Sequence, residues 1–463
     1  MTGSSYFFCG IGGSGMLPLA CIVKAAGAAV AGSDRALDAG RLGSKFGYLE
    51  AQGIGLHPQD GSGLKPGMVL VTSAAVEETI PDVARARALD LPHLTRPQLL
   101  SELLNAAERS VAVGGTSGKS TVTGMIGWIL HSLGHKPTVM NGAVMKNFVS
   151  ADAPFASALI GEPELFVSEV DESDGSIALY RPTVALLNNV SLDHKEMDEL
   201  RSLFGGFLGS AQTAVVNLDD AESRQIAREI GDVVGYGFQS DDARIVGGDL
   251  VLQSGASQFS VRSSDEHAHV ELPLPGRHNA LNALGAIAAV HALGVSLIDA
   301  AAALTEFAGL KRRLETVGEA HGVSVVDDFA HNPDKIAATL ATLTARRGGL
   351  LIFFQPHGYG PLAKMGDELA ATFAKGMRAG DRLILSDPVY QGGTVDRSRG
   401  SEWLAAAVES AGGRAEHIPE RTAIGQRLLD LAREGDTIAI LGARDDTLSD
   451  FAAELVRNLA ARG

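Results

Sequence analysis

The chain has 463 residues, and 39 Lys and Arg against 55 Asp and Glu leave a formal charge of −16. A hydrophobic share of 45% with 20% charged residues excludes wholesale disorder, and the acidic balance speaks against nucleic acid or an anionic membrane surface as partner. Two cysteines, Cys9 and Cys21, exclude a disulfide framework and fit a reducing, cytoplasmic setting.

The N-terminal segment lacks a basic region and its apolar part is broken by glycines, so no targeting segment is expected. Residues 6–9 read as a strand, 15–26 as a helix, and 28–32 and 68–72 as further strands, a βαβ rhythm that predicts a parallel, doubly wound sheet. A strand at 110–113 leads into a second glycine loop and a helix over 121–133, with strands following at 165–170, 184–188 and 213–217. The Gly-, Ser- and Asp-rich stretch 233–274 predicts small antiparallel strands, closed by a helix over 279–292. The apolar run 280–295 carries Asn282 and His291 and is too short to span a bilayer. After 315 the pattern restarts, with strands at 323–326, 350–354, 382–385 and 437–441 between Ala- and Leu-rich helices. The predicted organisation is three α/β domains, 1–107, 108–314 and 315–463, the central one with a large mainly parallel sheet.

Two glycine loops carry chemistry. Gly10-Ile-Gly12-Gly13-Ser14-Gly15 is a formal GxGxxG between strand and helix, with Asp34 after the next strand. Alone it fits a dinucleotide site or a tight turn without ligand, and it leaves the nucleotide open. Gly115-Thr116-Ser117-Gly118-Lys119-Ser120-Thr121 is more specific: backbone N–H groups for phosphate oxygens, a lysine for the β/γ charge and a hydroxyl for Mg²⁺. Downstream, Glu169-Val-Asp171-Glu172-Ser-Asp174 gathers four carboxylates at a strand end, which repel one another unless cations intervene. Mg²⁺ is the expected one. Asn189-Val-Ser-Leu-Asp193-His194 offers a second ligand at the same sheet edge. His278-Asn279 opens a helix either as cap or as base contact, and Lys311-Arg312-Arg313-Leu-Glu315 either grips a phosphate or forms a solvated hinge.

In order and spacing these motifs resemble the Mur ligases, the ATP-dependent amide ligases of peptidoglycan synthesis, and within them the branch that adds L-alanine to UDP-N-acetylmuramate. The resemblance runs nearly end to end, through CGIGGSGM, GSD at 32–34, the segment 71–104, GGTSGKST, EVDESD, PGRHNALNA, GLKRRLE and DDFAHNP. It implies a Rossmann-like, UDP-binding N-terminal domain, a P-loop ATPase central domain and a Rossmann-like C-terminal domain that brings the amino acid, with ATP, a UDP-sugar and an amino acid as small-molecule partners and a monomer or homodimer as the working form. It further implies that Lys119 binds the β/γ-phosphates, that Ser120, Glu169 and His194 hold Mg²⁺, and that His278 and Asn279 face adenine. Arg313 and Asp328 would serve phosphate and ribose. Gly12, Gly13, Ser14 and Gly15 would cradle the UDP-sugar diphosphate, with Asp34 and Ser73 toward the UDP end, and His331, His357 and Tyr359 would border the amino acid.

Two departures stand out. No lysine occurs from Glu196 to Leu310, so the carbamylated lysine of several Mur ligases is missing, in agreement with the alanine-adding branch. The Arg-bearing segment that this branch carries after FQPH is instead His357-Gly358-Tyr359-Gly360-Pro361, and Phe329 stands where the family has tyrosine. A planar Arg fork is not replaced by glycine without loss of bidentate carboxylate recognition, so a different amine is expected. The alternatives weighed beside this are a ligase of the same fold with another acyl acceptor and an NAD-dependent oxidoreductase read from the first glycine motif alone. The second leaves the GKST loop unexplained.

Overall fold

Three parallel or mainly parallel sheets organise the chain, seen here in a computed structural model that describes residues 3–73, 76–191, 195–389, 396–443 and 445–462. The first comprises β1 (Ser5–Cys9), β2 (Ala29–Ser33), β3 (Gly55–His57), β4 (Val69–Thr72) and β5 (His93–Thr95), in the order β3-β2-β1-β4-β5. Every pairing is parallel, so the carboxyl ends of all five strands share one edge. Phe7, Phe8 and Leu70 are fully buried, as expected for strands covered by helices on both faces.

The second sheet has ten strands: β6 (Arg109–Gly114), β7 (Pro137–Met140), β8 (Ala158–Leu159), β9 (Glu162–Glu169), β10 (Val184–Leu187), β11 (Thr213–Asn217), β12 (Val234–Gly237), β13 (Ile245–Leu252), β14 (Ser257–Arg262) and β15 (His267–Leu272). Its centre is decisive for the site. β6 lies between β9 and β10, and both pairings are parallel, with Val113 opposite Glu169 and Gly114 opposite Leu187. The loops that leave β6, β9 and β10 therefore emerge side by side.

The stretch 233–274 departs from expectation. β14 and β15 pair antiparallel as expected, whereas β12 runs parallel to β11 and β13 parallel to β12. Gly235 and Gly237 do not mark hairpin turns: they sit on β12, where a Cβ would collide with Leu218 and Asp219. The helix expected over 121–133 runs Lys119–Ser132, which brings Lys119 and Ser120 into its first turn.

The third sheet joins β16 (Glu315–Ala320), β17 (Val323–Asp328), β18 (Leu350–Gln355), β19 (Arg382–Leu385), β20 (Ala415–His417) and β21 (Thr437–Gly442) in the order β16-β17-β21-β18-β19-β20. Only β16 is antiparallel to its neighbour. The chain forms two compact units: Met1–Val251, Ser257–Leu274 and Asn279–Gly309 make the first, which holds the first predicted domain and most of the second, and Leu252–Ala256, Pro275–His278 and Leu310–Gly463 the second. Among the described residues no helix is long and apolar enough to cross a membrane.

Candidate active site

Beyond β6 the chain turns through Gly115, φ +129°, and Gly118, φ +83°, a region that glycine enters without penalty. Space excludes a side chain at 118 as well, because a Cβ would stand against Asn188 Nδ2 and 2.6 Å from Asn282 Oδ1. Asn188 Nδ2 donates to Ser117 O at 2.9 Å and to Asn282 Oδ1 at 2.8 Å, and the buried Tyr236 hydroxyl donates to Asn188 Oδ1 at 2.8 Å. Asn189 grips the same turn, accepting from Ser117 N at 2.8 Å and donating to Ser117 O at 3.0 Å. The loop is thus held from below before any ligand arrives. The helix Lys119–Ser132 has no side-chain cap and turns its positive end toward the loop, a setting that favours an anion.

Lys119 Nζ donates to Glu172 Oε2 at 2.8 Å and to Gly115 O at 2.6 Å. Burial alone would lower its pKa, but Glu172, helped by Asp171 and Glu169, outweighs that and holds the ammonium above the ordinary lysine value. For Asp171 burial works upward, yet Lys119 and the Ser173 hydrogen bonds bring it below the usual carboxylate value. Part of the cation expected for the carboxylate cluster is therefore the chain's own lysine.

The Ser120 hydroxyl donates to Glu169 Oε2 at 2.7 Å, and Asn141 Nδ2 holds Ser120 O at 2.9 Å. Gly142 lets the Glu169 carboxylate come where a Cβ would stand. A hydroxyl and a carboxylate side by side are hard oxygen donors and fit Mg²⁺. The third expected ligand, His194, lies outside the described residues, and no group of three or more His, Cys, Asp and Glu suited to a metal occurs among those described. Ser117 Oγ is buried without a hydrogen-bond partner, an orphan of the kind a phosphate oxygen satisfies.

At the first loop, Gly10 N and Ile11 N donate to Ser33 O at 2.8 and 3.0 Å, and Gly13 N to Gly10 O at 3.1 Å. Asp34 accepts from Gly12 N at 2.9 Å and from Ala36 N at 2.8 Å, so its carboxylate shapes the loop and caps the next helix. Ser73 follows β4 on the same edge, and its carbonyl accepts from Val76 N at 3.1 Å.

In the second unit Arg312 and Arg313 diverge. Arg312 is buried, donating to Gly442 O at 2.7 Å and Asp445 O at 3.1 Å, and serves the fold. Arg313 is half-buried, its guanidinium 4.7 Å from the centre of the Phe329 ring. Asp328 accepts from Thr339 Oγ1 and from Leu314 N, and burial raises its pKa. His331 and His357 stack edge to face at 4.9 Å, and burial pushes His331 down to about 3. Tyr359 instead borders a cavity of about 390 Å³ with Asp387, Arg397, Ser401, Trp403 and His417, in which His417 Nε2 and Asp387 Oδ1 are 2.8 Å apart. His278, pushed down to about 4 by burial, precedes the buried Asn279 at the start of the helix Arg277–Ala292.

Lys119, Ser120 and Glu169 lie together in the fold, while Glu172 as the lysine's partner and the Asn141, Asn188, Asn189 and Asn282 scaffold are not among the residues expected from sequence. The pair Asn188-Asn189 directly after a buried strand was the available signal.

Three family descriptions match in order: "Mur ligase family, catalytic domain" over residues 5–108, "Mur ligase middle domain" over 113–290 and "Mur ligase, glutamate ligase domain" over 312–444. A UDP-N-acetylmuramate–L-alanine ligase from Methylocella silvestris is 34% identical, covering 98% of this chain and 97% of its own. Among solved structures, the UDP-N-acetylmuramate–alanine ligase of Thermotoga maritima has the same fold, with TM-score 0.81 over 99% of this chain and 100% of its own at 24% identity. A murein peptide ligase from Psychrobacter arcticus is 26% identical, with TM-score 0.69 over 99% of both chains.

Proposed function

The chain belongs to the Mur ligase family, and from that premise we propose that it joins the lactyl carboxylate of UDP-N-acetylmuramate to an amine of the L-alanine type, with ATP converted to ADP and phosphate. The observation that carries this reading is the preorganised loop 115–118 with Lys119 and Ser120 at a bare helix start and Glu169 beside them.

A carboxylate is a poor acyl donor. It attacks the ATP γ-phosphorus, the bond to the β-bridging oxygen breaks, and ADP leaves an acyl phosphate; the amine then adds to the carbonyl, loses its proton, and phosphate departs. Lys119 exchanges Glu172 for the β- and γ-phosphates and opposes the charge that develops in transfer. The positive start of the helix Lys119–Ser132 faces phosphate oxygens, and Ser117 Oγ gains a partner. Ser120 and Glu169 would hold Mg²⁺, which when bound adds charge neutralisation at the phosphates. Arg313 and Asp328 take the nucleotide from the C-terminal domain, and His278 and Asn279 take its base. The domains 1–107, 108–314 and 315–463 divide these tasks among UDP-sugar, ATP and amine.

A second reading, an acceptor other than L-alanine, is favoured by the absence of arginine from the run 357–361 and by the 390 Å³ cavity beside Tyr359, larger than a methyl side chain needs. Phosphate release from ATP, measured with UDP-N-acetylmuramate and each amino acid or short murein peptide in turn, decides between them. Release that needs ATP, the UDP-sugar and L-alanine together supports the first reading. Release only with a larger amine supports the second, and none with any amine refutes both.

A further inference from the structure

The third glycine of the first loop is not there for its backbone. Gly15 has φ −96° and ψ −20°, values open to any residue. What it lacks is room: a Cβ at 15 would lie 2.8 Å from Arg96 Nη1, 3.1 Å from Arg96 Cδ and 3.3 Å from Arg96 Cζ. The guanidinium of a residue eighty positions away is packed against the loop, and glycine is what lets it come so close.

Arg96 is fixed where it stands. It is the first residue of the helix Arg96–Ala106, whose capping box runs from Thr95 N to Gln98 Oε1 at 2.7 Å and from Gln98 N to Thr95 Oγ1 at 3.4 Å. β5 ends on the same edge as β1, so the first sheet delivers Arg96 and the loop 10–15 to one place. Its guanidinium is partly buried, and among the described residues it has neither hydrogen bond nor ion pair. Asp171 feels its field without pairing with it.

The loop is unfinished in a complementary way. Gly10, Ile11, Gly12 and Gly13 have their N–H groups taken by Ser33, Asp34 and Gly10, and Met16 and Leu17 donate to Gly13 O. The N–H groups of Ser14 and Gly15 have no acceptor among the described residues. Two free amides and a free guanidinium meeting at one glycine make a set of donors for an oxyanion with more than one oxygen to offer.

We infer that Arg96 is the charged half of the diphosphate site, binding a phosphate of the UDP moiety that the Ser14 and Gly15 amides hold from the other side. The inference rests on the reading of loop 10–15 as the UDP-sugar site and adds the residue that makes it selective for two phosphates over one. Gly15 is then a spacing residue for Arg96.

The test is titration calorimetry of the full chain with UDP, UMP, UDP-N-acetylmuramate and ATP, for the wild type and for Arg96→Ala, Arg96→Lys and Gly15→Ala. Arg96→Ala should weaken UDP by about tenfold or more, the worth of one charge-assisted contact, and UMP much less, so that the UDP-over-UMP preference collapses. Arg96→Lys should retain part of that preference, and Gly15→Ala should lose it with the arginine still present. Unchanged ATP affinity in each variant reports an intact fold. UDP affinity within twofold of wild type in Arg96→Ala overturns the inference, as does loss for UDP-N-acetylmuramate alone, which would assign the arginine to the carboxylate. A wild type that binds ATP but no UDP overturns the UDP-sugar reading itself, a result distinguishable from the other two.

Discussion

The two glycine loops solve the same problem, holding phosphate, by different means. Loop 115–118 lies among buried groups, uses positive φ at both ends, rests on four asparagines or their neighbours, and carries its own cation one residue on. Loop 10–15 is open at Gly13 and Ser14, has its glycines 12 and 15 pressed by Asp34, Phe46 and Arg96, and takes its nearest guanidinium from another segment. A loop that contains its cation is rigid and self-sufficient, whereas one that borrows it depends on the whole sheet being assembled.

Four measurements would break or sharpen that contrast. The largest effect is expected from Lys119→Ala, which removes the cation from the self-sufficient loop: kcat/KM in phosphate release should fall about 10³-fold or more. A drop of only a few-fold would mean that the lysine serves Glu172 rather than the phosphates. Next comes Gly118→Ala, which meets both an unfavourable φ and the Asn188 amide and should cost about 1–3 kcal/mol in denaturant unfolding with a raised KM for ATP. Its opposite number at Gly15 has ordinary dihedrals and should leave unfolding nearly unchanged.

A baseline away from both loops comes from His331. Its folded pKa of about 3 lies below the unfolded value of 6.5, so the unfolded chain binds the proton more readily, and stability falls as pH drops from 6.5 toward 3. Between pH 6.5 and 4.5 this amounts to about 2 kcal/mol, which His331→Gln should remove in the difference between the two unfolding profiles. Asp327, raised to about 6 by burial, works in the opposite sense: the folded chain holds its proton longer, so stability declines as pH rises from 3.8 to 6. A wild-type profile alone would blur the two. The smallest effect is expected from Phe329→Tyr, since the ring would still lie 5.1 and 4.7 Å from the guanidinium carbons of Arg312 and Arg313; stability should stay within about 0.5 kcal/mol.

What was legible in the sequence follows the same division. Lys119, Ser120 and Glu169 could be read because Glu169 ends a largely buried strand and Lys119 and Ser120 follow the glycine loop that leaves another, and parallel pairing of β6 with β9 makes those strand ends neighbours. Arg96 could not, since nothing local in Thr-Arg-Pro-Gln marks a guanidinium bound for a loop near the N-terminus. Asp34 and Asp328 were assigned by motif to ligands, and both have their oxygens engaged by the protein's own N–H and O–H groups, an arrangement invisible without tertiary contacts. The glycines of 233–274 misled because a missing side chain in a strand and a missing side chain in a turn look alike in one dimension.

The two cysteines have a practical consequence. Cys9 is fully buried with its thiol pushed up to about 12, and Cys21 is nearly so at about 11, burial being the main cause in both. Thiolate, the reactive form, is therefore scarce at neutral pH, and reagents have little access to it. The natural chain is already a silent background for labelling: one cysteine introduced at exposed Ser398, beside the Tyr359 cavity, would take a fluorophore or spin label alone and report directly on what enters there.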